Sequence, residues 1–207
     1  MSLQQILAEG IAQLGIDVDA QTQTRLLQYL ALLHKWNRVH NLTAVREPKK
    51  MVTQHILDCL AVLPHIEGKR LVDVGSGGGL PGIPLALARP QLEVTLLDSN
   101  HKKTVFLQQA VIDLQLTNVK VVCARVEDFK PQQPFDLVIS RAFSDLGEFA
   151  RLTRHLCAPG AALLAMKGLH PYEEIAQLPA DVSVQQMLSL KVPGLGATRH
   201  LVVMRVA

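Results

Sequence analysis

Between Asp73 and Gly82 the chain reads Asp-Val-Gly-Ser-Gly-Gly-Gly-Leu-Pro-Gly, which crowds Gly75, Gly77, Gly78, Gly79 and Gly82 between a β-branched run and an apolar one. Glycine at such a junction lets the backbone turn tightly and approach a ligand with no Cβ in the way. A plain strand-to-helix turn does not need so many. Asp98 closes the next β-branched run, about 20 residues beyond the glycines, where a carboxylate can accept both hydroxyls of a ribose. The chemistry indicated is the binding of an adenosine-containing cofactor, and two registers compete. Gly77-x-Gly79-x-x-Gly82 matches the dinucleotide fingerprint; Asp73, Gly75, Gly77 and Gly79 spell acid-x-Gly-x-Gly-x-Gly.

The second register resembles the first motif of class I methyltransferases. Their cofactor, S-adenosylmethionine, carries no pyrophosphate, so the helix after the loop need not point at an anion, and an acidic strand end can help to hold the methionine part through the loop. Little chain remains after the sheet to build a dehydrogenase's substrate domain, so the methyltransferase register is preferred. Absent motifs then narrow the acceptor. The run Asp136–Ser140, followed by Arg141-Ala142-Phe143, lacks the Asn/Asp-Pro-Pro-aromatic cluster usual in enzymes that methylate exocyclic amines. Cytosine C5 chemistry needs a nucleophilic cysteine, and Cys123 and Cys157 have no proline-cysteine motif around them. Guanine N7 needs neither device, because its lone pair is already exposed and proximity supplies most of the acceleration. A ribose 2′-O-methyltransferase would need a lysine-centred acid/base group. Lys167 suits such a group, but a second lysine and an acid for it are not evident. A non-enzymatic RNA-binding protein is a third reading, against which the intact loop and Asp98 count.

The elements that must position these residues change character near residue 68. Before it, Leu3, Ile6, Leu7, Ile11 and Leu14, then Leu26, Leu27, Leu30 and Leu33, then Val52, Ile56, Leu57 and Leu60 recur at helical spacing. Asp19 caps the second helix, Pro48 begins the third and Pro64 ends the section. Beyond it, strands are predicted at 70–74, 94–97, 119–123, 135–140 and 161–166, with further strands at 182–190 and 200–206. Helices are predicted at 82–88, 102–114 and 145–155. This alternation is an α/β pattern with a parallel sheet covered on both faces, and ligands bind beyond the carboxyl ends of its strands. The expected division is a helical extension over 1–67 and a cofactor-binding domain over 68–207. Lys102, Lys103, Arg125, Arg141, Lys167, Arg199 and His200 all follow or flank strand ends, so the expected rim is basic and suited to RNA phosphates.

At 207 residues, 48% of them hydrophobic, the chain can bury one substantial core; its net charge of +3 permits a polyanionic partner without demanding one. Met1–Leu14 is amphipathic and no apolar run approaches a membrane span, which points to a cytoplasmic protein with no membrane partner. Cys59, Cys123 and Cys157 form neither a disulfide framework nor a zinc motif, and His34, His40 and His55 lack metal-ligand spacing, so no metal is expected. Trp36 is expected to pack the helical section onto the sheet, Asn37 and Asn41 to satisfy backbone groups, and His55 and Asp58 to form a buried polar pair.

The chain closely resembles the bacterial glucose-inhibited division protein B family, the small-subunit ribosomal RNA N7-guanosine methyltransferases. The resemblance is carried by Leu33-His34-Lys35-Trp36-Asn37 with Asn41-Leu42-Thr43, His55-Ile56-Leu57-Asp58, the whole run from Asp73 to Pro84, Leu97-Asp98-Ser99, Ser140-Arg141-Ala142, Lys167-Gly168 and Arg199-His200. Gly78 stands where the family often has proline. The resemblance implies a class I (Rossmann-like) methyltransferase sheet with an N-terminal helical extension. It implies cofactor contacts at Gly75, Leu80, Val126, Glu127 and Arg141, and one guanine of 16S rRNA as target. With Gly77 and Asp98 these residues are expected to hold S-adenosylmethionine. Arg141, Lys167 and Arg199 are expected to act on the substrate, gripping phosphates and the guanine O6 edge. Lys102, Lys103, Arg125 and His200 extend that RNA-binding surface. The expected partner is 16S rRNA or the small ribosomal subunit, met by a monomer.

Overall fold

The computed structural model describes residues 1–141, 143 and 145–207, so Ala142 lies outside the described residues. Helix α1 (Leu3–Leu14) starts in a capping box, with Ser2 and Gln5 each accepting from the other's backbone N–H. Helix α2 (Ala20–His40) starts at Asp19, whose carboxylate accepts from the Thr22 N–H at 2.6 Å. Pro48 opens α3 (Pro48–Met51), which runs through a π-helical stretch, Val52–Leu57, into α4 (Asp58–Leu60). A π-helical turn rotates the residues beyond it relative to their places on a regular helix. Here Asp58 and Cys59 stand directly after it.

Strand β1 (Arg70–Val74) leads through the glycine loop into α5 (Gly82–Ala88), then β2 (Glu93–Asp98), α6 (His101–Asp113) and β3 (Val119–Cys123). The second half holds β4 (Phe135–Ser140), α7 (Leu146–Thr153), β5 (Cys157–Lys167), α8 (Tyr172–Ala176), β6 (Val182–Leu190) and β7 (Arg199–Val206). The strands form one sheet in the order β3-β2-β1-β4-β5-β7-β6. The first five are parallel, but β7 runs antiparallel to both β5 and β6. The parallel pattern expected from the strand–helix alternation holds for β1 to β5, and the last strand departs from it for a geometric reason. A parallel crossover takes a dozen or more residues and usually a helix; only the short turn between Leu190 and Arg199 joins β6 to β7.

The two sheet faces are covered differently. Leu71, Leu96, Ile83 and Phe106 pack in one cluster with Leu7, Leu26, Leu33, Met51 and Leu60 of the helical section. Val72, Val138, Leu163 and Val202 pack under Leu146 and Phe149 of α7 on the other face. The helices before Glu67 therefore share a core with the sheet. Each fully buried Leu or Phe contributes about 1.5–3 kcal/mol. Trp36 tilts against Phe106 (ring centroids 5.7 Å apart) and stacks on His40, so it does join α2 to α6. Asn37 accepts from the Thr43 N–H at 2.8 Å, whereas Asn41 accepts from the Arg46 side chain instead of a backbone group.

One polar contact crosses this shared core. The Tyr29 hydroxyl, fully buried, donates to the Gly78 carbonyl and so ties α2 to the glycine loop. In Tyr29→Phe that carbonyl loses its buried donor, at an expected cost of about 1–3 kcal/mol. Thermal unfolding should then show a midpoint lower by roughly 2–10 °C.

Candidate active site

The glycine loop is held by its own acids. Asp73, at the end of β1 and wholly buried, accepts from the Gly82 N–H through Oδ2 at 2.8 Å. Asp98, at the end of β2, accepts from the Gly77 N–H through Oδ2 at 2.9 Å and from the Asn100 N–H through Oδ1 at 2.8 Å. The Gly75 and Ser76 amides donate to the Leu97 carbonyl, and the Ser76 hydroxyl to that of Asp73. Gly77 reaches this course only in the left-handed region, with φ of 57°.

A cleft of about 420 Å³ opens beyond the ends of β1, β2 and β3. It is lined by Val74, Gly75, Leu97, Asp98, Ser99, Lys103, Ala124, Arg125, Val126, Glu127 and Phe143. Gly75, Asp98, Val126 and Glu127 thus come together as the cofactor reading requires, joined by Lys103 and Arg125, which were expected on RNA. Gly77 stands behind Asp98, and Leu80 is buried in the core shared with the helical section. Lys102 is exposed on the first turn of α6.

A second cavity, about 210 Å³, lies at the ends of β4, β5 and β7 and is lined by Asp58, Arg141, Met166, Lys167, Gly168 and Arg199. The three cationic residues expected to act on the substrate meet here. Arg141, expected on the cofactor as well, lines this cavity and not the larger cleft. Sequence reasoning missed what organises them. Arg141 Nη1 lies 3.2 Å from Asp58 Oδ2, and Arg199 Nε lies 3.1 Å from Asp58 Oδ1. Asp58 is buried; desolvation pushes its carboxyl up, and Arg141 and Arg199 pull it back towards the charged form. The sequence offered a signal in Asp58 on an otherwise apolar helix, yet His55 is not its partner. His55 Nε2 lies 2.8 Å from the Thr43 hydroxyl.

Lys167, nearly buried, pairs with Glu174 of α8 at 2.7 Å, and the same Glu174 oxygen accepts from the Leu146 N–H. His200 pairs in register with Lys167, so it faces away from Arg199 across β7 and lies beside His170, ring centroids 5.3 Å apart. Arg199 and His200, both expected on the RNA-binding rim, therefore point to opposite faces of the sheet.

Several buried groups have shifted protonation. Burial pushes Asp73 up to about 7, against the pull of the Gly82 amide and Arg141. It pushes the Cys59 thiol up to about 12, which leaves no thiolate for nucleophilic attack. It holds His55 down to about 4, helped by the positive charge of Arg141. The neutral His55 of the folded state contributes stability that is present above the ordinary imidazole value of 6.5 and is lost as pH falls from there to about 4. Asp73 acts in the opposite direction, so the difference between wild type and His55→Gln isolates the imidazole. Urea unfolding at about pH 7 and about pH 4.5 should show wild type losing on the order of 2 kcal/mol more than the variant.

The donor set distinguishes the two cofactors. A dinucleotide's pyrophosphate would sit on the amides at the start of α5, but Asp73 Oδ2 already takes the Gly82 N–H there. Asp73 Oδ1 is buried without a partner among the described residues. Asp98 and Glu127 line the cleft beside Lys103 and Arg125, so a hydroxyl-bearing cofactor finds carboxylate acceptors there. Each Asp98 oxygen holds one N–H and has capacity for another donor, as a ribose diol requires. These acceptors fit S-adenosylmethionine. Among the described residues, no group of three or more His, Cys, Asp or Glu is placed to hold a metal ion, and no helix is long and apolar enough to cross a membrane.

Comparison with known proteins agrees with this geometry. Over the whole chain the fold is similar to the O-methyltransferase TomG from Streptomyces achromogenes, with a TM-score of 0.61, 17% identity and 99% of that chain covered. It also resembles TrmN from Thermus thermophilus, with a TM-score of 0.56 and 19% identity over 83% of this chain and 53% of that one. The ribosomal RNA small subunit methyltransferase G of Laribacter hongkongensis is 58% identical over 202 residues, covering 98% of each chain. That of Nitrosospira multiformis is 59% identical over 206 residues, 96% of this chain and 95% of the relative. The model of the GidB family, described as rRNA small subunit methyltransferase G, matches residues 22–202. With the glycine loop, the acid-lined cleft and the arginine pocket all inside that span, the chain belongs to the rRNA small subunit methyltransferase G family.

Proposed function

We propose that this protein transfers the methyl group of S-adenosylmethionine to N7 of one guanine in 16S rRNA, acting in the cytoplasm as a monomer on the RNA of the small subunit. The observation that carries this reading is the pairing of a cofactor cleft at the ends of β1, β2 and β3 with an arginine-lined cavity at the neighbouring ends of β4, β5 and β7. When bound, the cofactor supplies an electrophilic methyl carried on a sulfonium centre. Asp98, the Gly75–Gly77 backbone and the Val126–Glu127 turn would hold it. Arg141 and Arg199 would take O6 of the guanine and the neighbouring phosphates, with Lys167 beside them. Cations belong on O6 or phosphate and not against the imidazole ring, where positive charge develops on the product.

N7 needs no proton removed, so the residues have only to orient the base and exclude water. The site is consistent with that. His55 and Cys59 are poor bases as placed, and the Lys167 ammonium is held by Glu174. Incubating the protein with labelled S-adenosylmethionine and undermethylated small subunits, then digesting the RNA to nucleosides, should give label in 7-methylguanosine. Label on a ribose, on another base, or on nothing would overturn the proposal.

A further inference from the structure

Asp58 is hard to explain as part of a phosphate grip. A carboxylate in a cavity lined by Arg141, Lys167 and Arg199 cancels positive charge that phosphates would otherwise meet, and its burial costs hydration. Its position suits a ligand that presents donors and an acceptor side by side. Guanine is such a ligand: along its Watson–Crick edge the O6 acceptor adjoins N1–H and the 2-amino group. Adenine sets its amino donor beside a bare N1, and uracil has one N–H between two carbonyls. Neither offers a carboxylate two adjacent donors.

We propose that the Asp58 pocket reads the Watson–Crick edge of the target guanine, the carboxylate accepting from N1–H and the 2-amino group while an adjoining guanidinium donates to O6. This rests on guanine being the base acted on. The contacts present leave room for the arrangement. Arg199 reaches Oδ1 through Nε and Arg141 reaches Oδ2 through Nη1, one contact to each oxygen. A carboxylate has about four acceptor positions and a guanidinium five N–H donors, so both retain capacity. The two arginines fix the plane of the carboxylate before the base arrives. O6 lies between N1 and N7 on the purine, so a grip on this edge leaves N7 uncovered. Recognition by this edge also requires the base to be unpaired, as in other enzymes that act on an extruded base. The π-helical stretch before Asp58 then has a function: the helical section supplies the residue that selects the base.

The test is binding, separate from turnover. The isotopically labelled full chain, saturated with S-adenosylhomocysteine, is titrated with GMP, IMP or AMP while the Nε–H resonances of Arg141 and Arg199 are followed by NMR. GMP should bind at least about tenfold more tightly than IMP, which lacks the 2-amino group, since a hydrogen bond to a charged group is worth about 1.5–3 kcal/mol. AMP, which shares the phosphate but has neither O6 nor N1–H, should bind more weakly than IMP. In Asp58→Asn the preference for GMP over IMP should vanish. Equal binding of GMP and IMP by wild type, no response of the arginines to any nucleotide, or a preference that survives in Asp58→Asn would each overturn the proposal. The wild-type ranking decides even if the variant fails to fold. A product other than 7-methylguanosine would instead overturn the proposed function, whatever the nucleotide ranking shows.

Discussion

Gly82→Ala should abolish cofactor binding and lower stability by about 3–5 kcal/mol. A Cβ at Gly82 would lie 2.3 Å from Leu96 Cδ2 and 2.9 Å from Asp73 Oδ2. Both neighbours are wholly buried, so neither can retreat without disturbing the core. Overpacking of this kind costs about 1–3 kcal/mol. The shift also pulls the Gly82 N–H from the Asp73 carboxylate, a charge-assisted bond worth about 1.5–3 kcal/mol. Because Asp73 is the penultimate residue of β1, next to the loop, the displacement carries into the loop amides. Gly77→Ala provides the comparison. There a Cβ meets nothing closer than the Gly75 carbonyl at 3.8 Å, and only the left-handed φ is penalised, at roughly 1–2 kcal/mol. Calorimetric titration with S-adenosylmethionine should show Gly82→Ala with affinity reduced at least about a hundredfold and Gly77→Ala with much of its affinity retained. Equal losses in the two would contradict this account of the loop.

Asp58→Ala should have the second large effect, and for an electrostatic reason. Removing one partner of a buried pair leaves charge without compensation, typically at about 3–5 kcal/mol. Arg141 and Arg199 keep about a quarter of their side-chain surface exposed, 26% and 27%, so solvent relieves part of that cost. A loss of about 2–3 kcal/mol is expected, seen as a melting midpoint lower by roughly 4–12 °C. Adding Arg199→Met should return part of the lost stability, because it removes one of two like charges left facing each other. Methyl transfer should stay at least about a hundredfold down in both variants. If the double variant is less stable than Asp58→Ala alone, repulsion between the arginines is not the cause.

Much of the fold was legible because it depends on local pattern. Helical spacing before residue 64, the Asp19 cap and the β-branched runs all reappear as elements close to their expected bounds. The direction of β7 was not legible, because it depends on the length of the connection, which apolar periodicity does not report. In the site, Gly75 and Asp98 line one cleft with Val126 and Glu127, to which the resemblance pointed; all four lie at or just beyond strand ends, which the topology brings together. Arg141 was placed with the cofactor by resemblance, yet its guanidinium turns towards Asp58, a contact across 83 residues of sequence. Asp58 itself was misread for the same reason. One helical turn separates it from His55, and local spacing suggested a pair, while its real partners come from β7 and the end of β4. His200 shows the converse: adjacency to Arg199 in sequence means opposite faces in a strand.

The central claim is that transfer occurs at a ring nitrogen that needs no proton removed. Its most direct test is the single-turnover rate of methyl transfer in the ternary complex, measured from about pH 6 to about pH 8.5 with cofactor and RNA both saturating. The account predicts a rate constant that changes by less than about threefold across that range. A rate that climbs about tenfold per pH unit would show a proton leaving before or during transfer, and would contradict it.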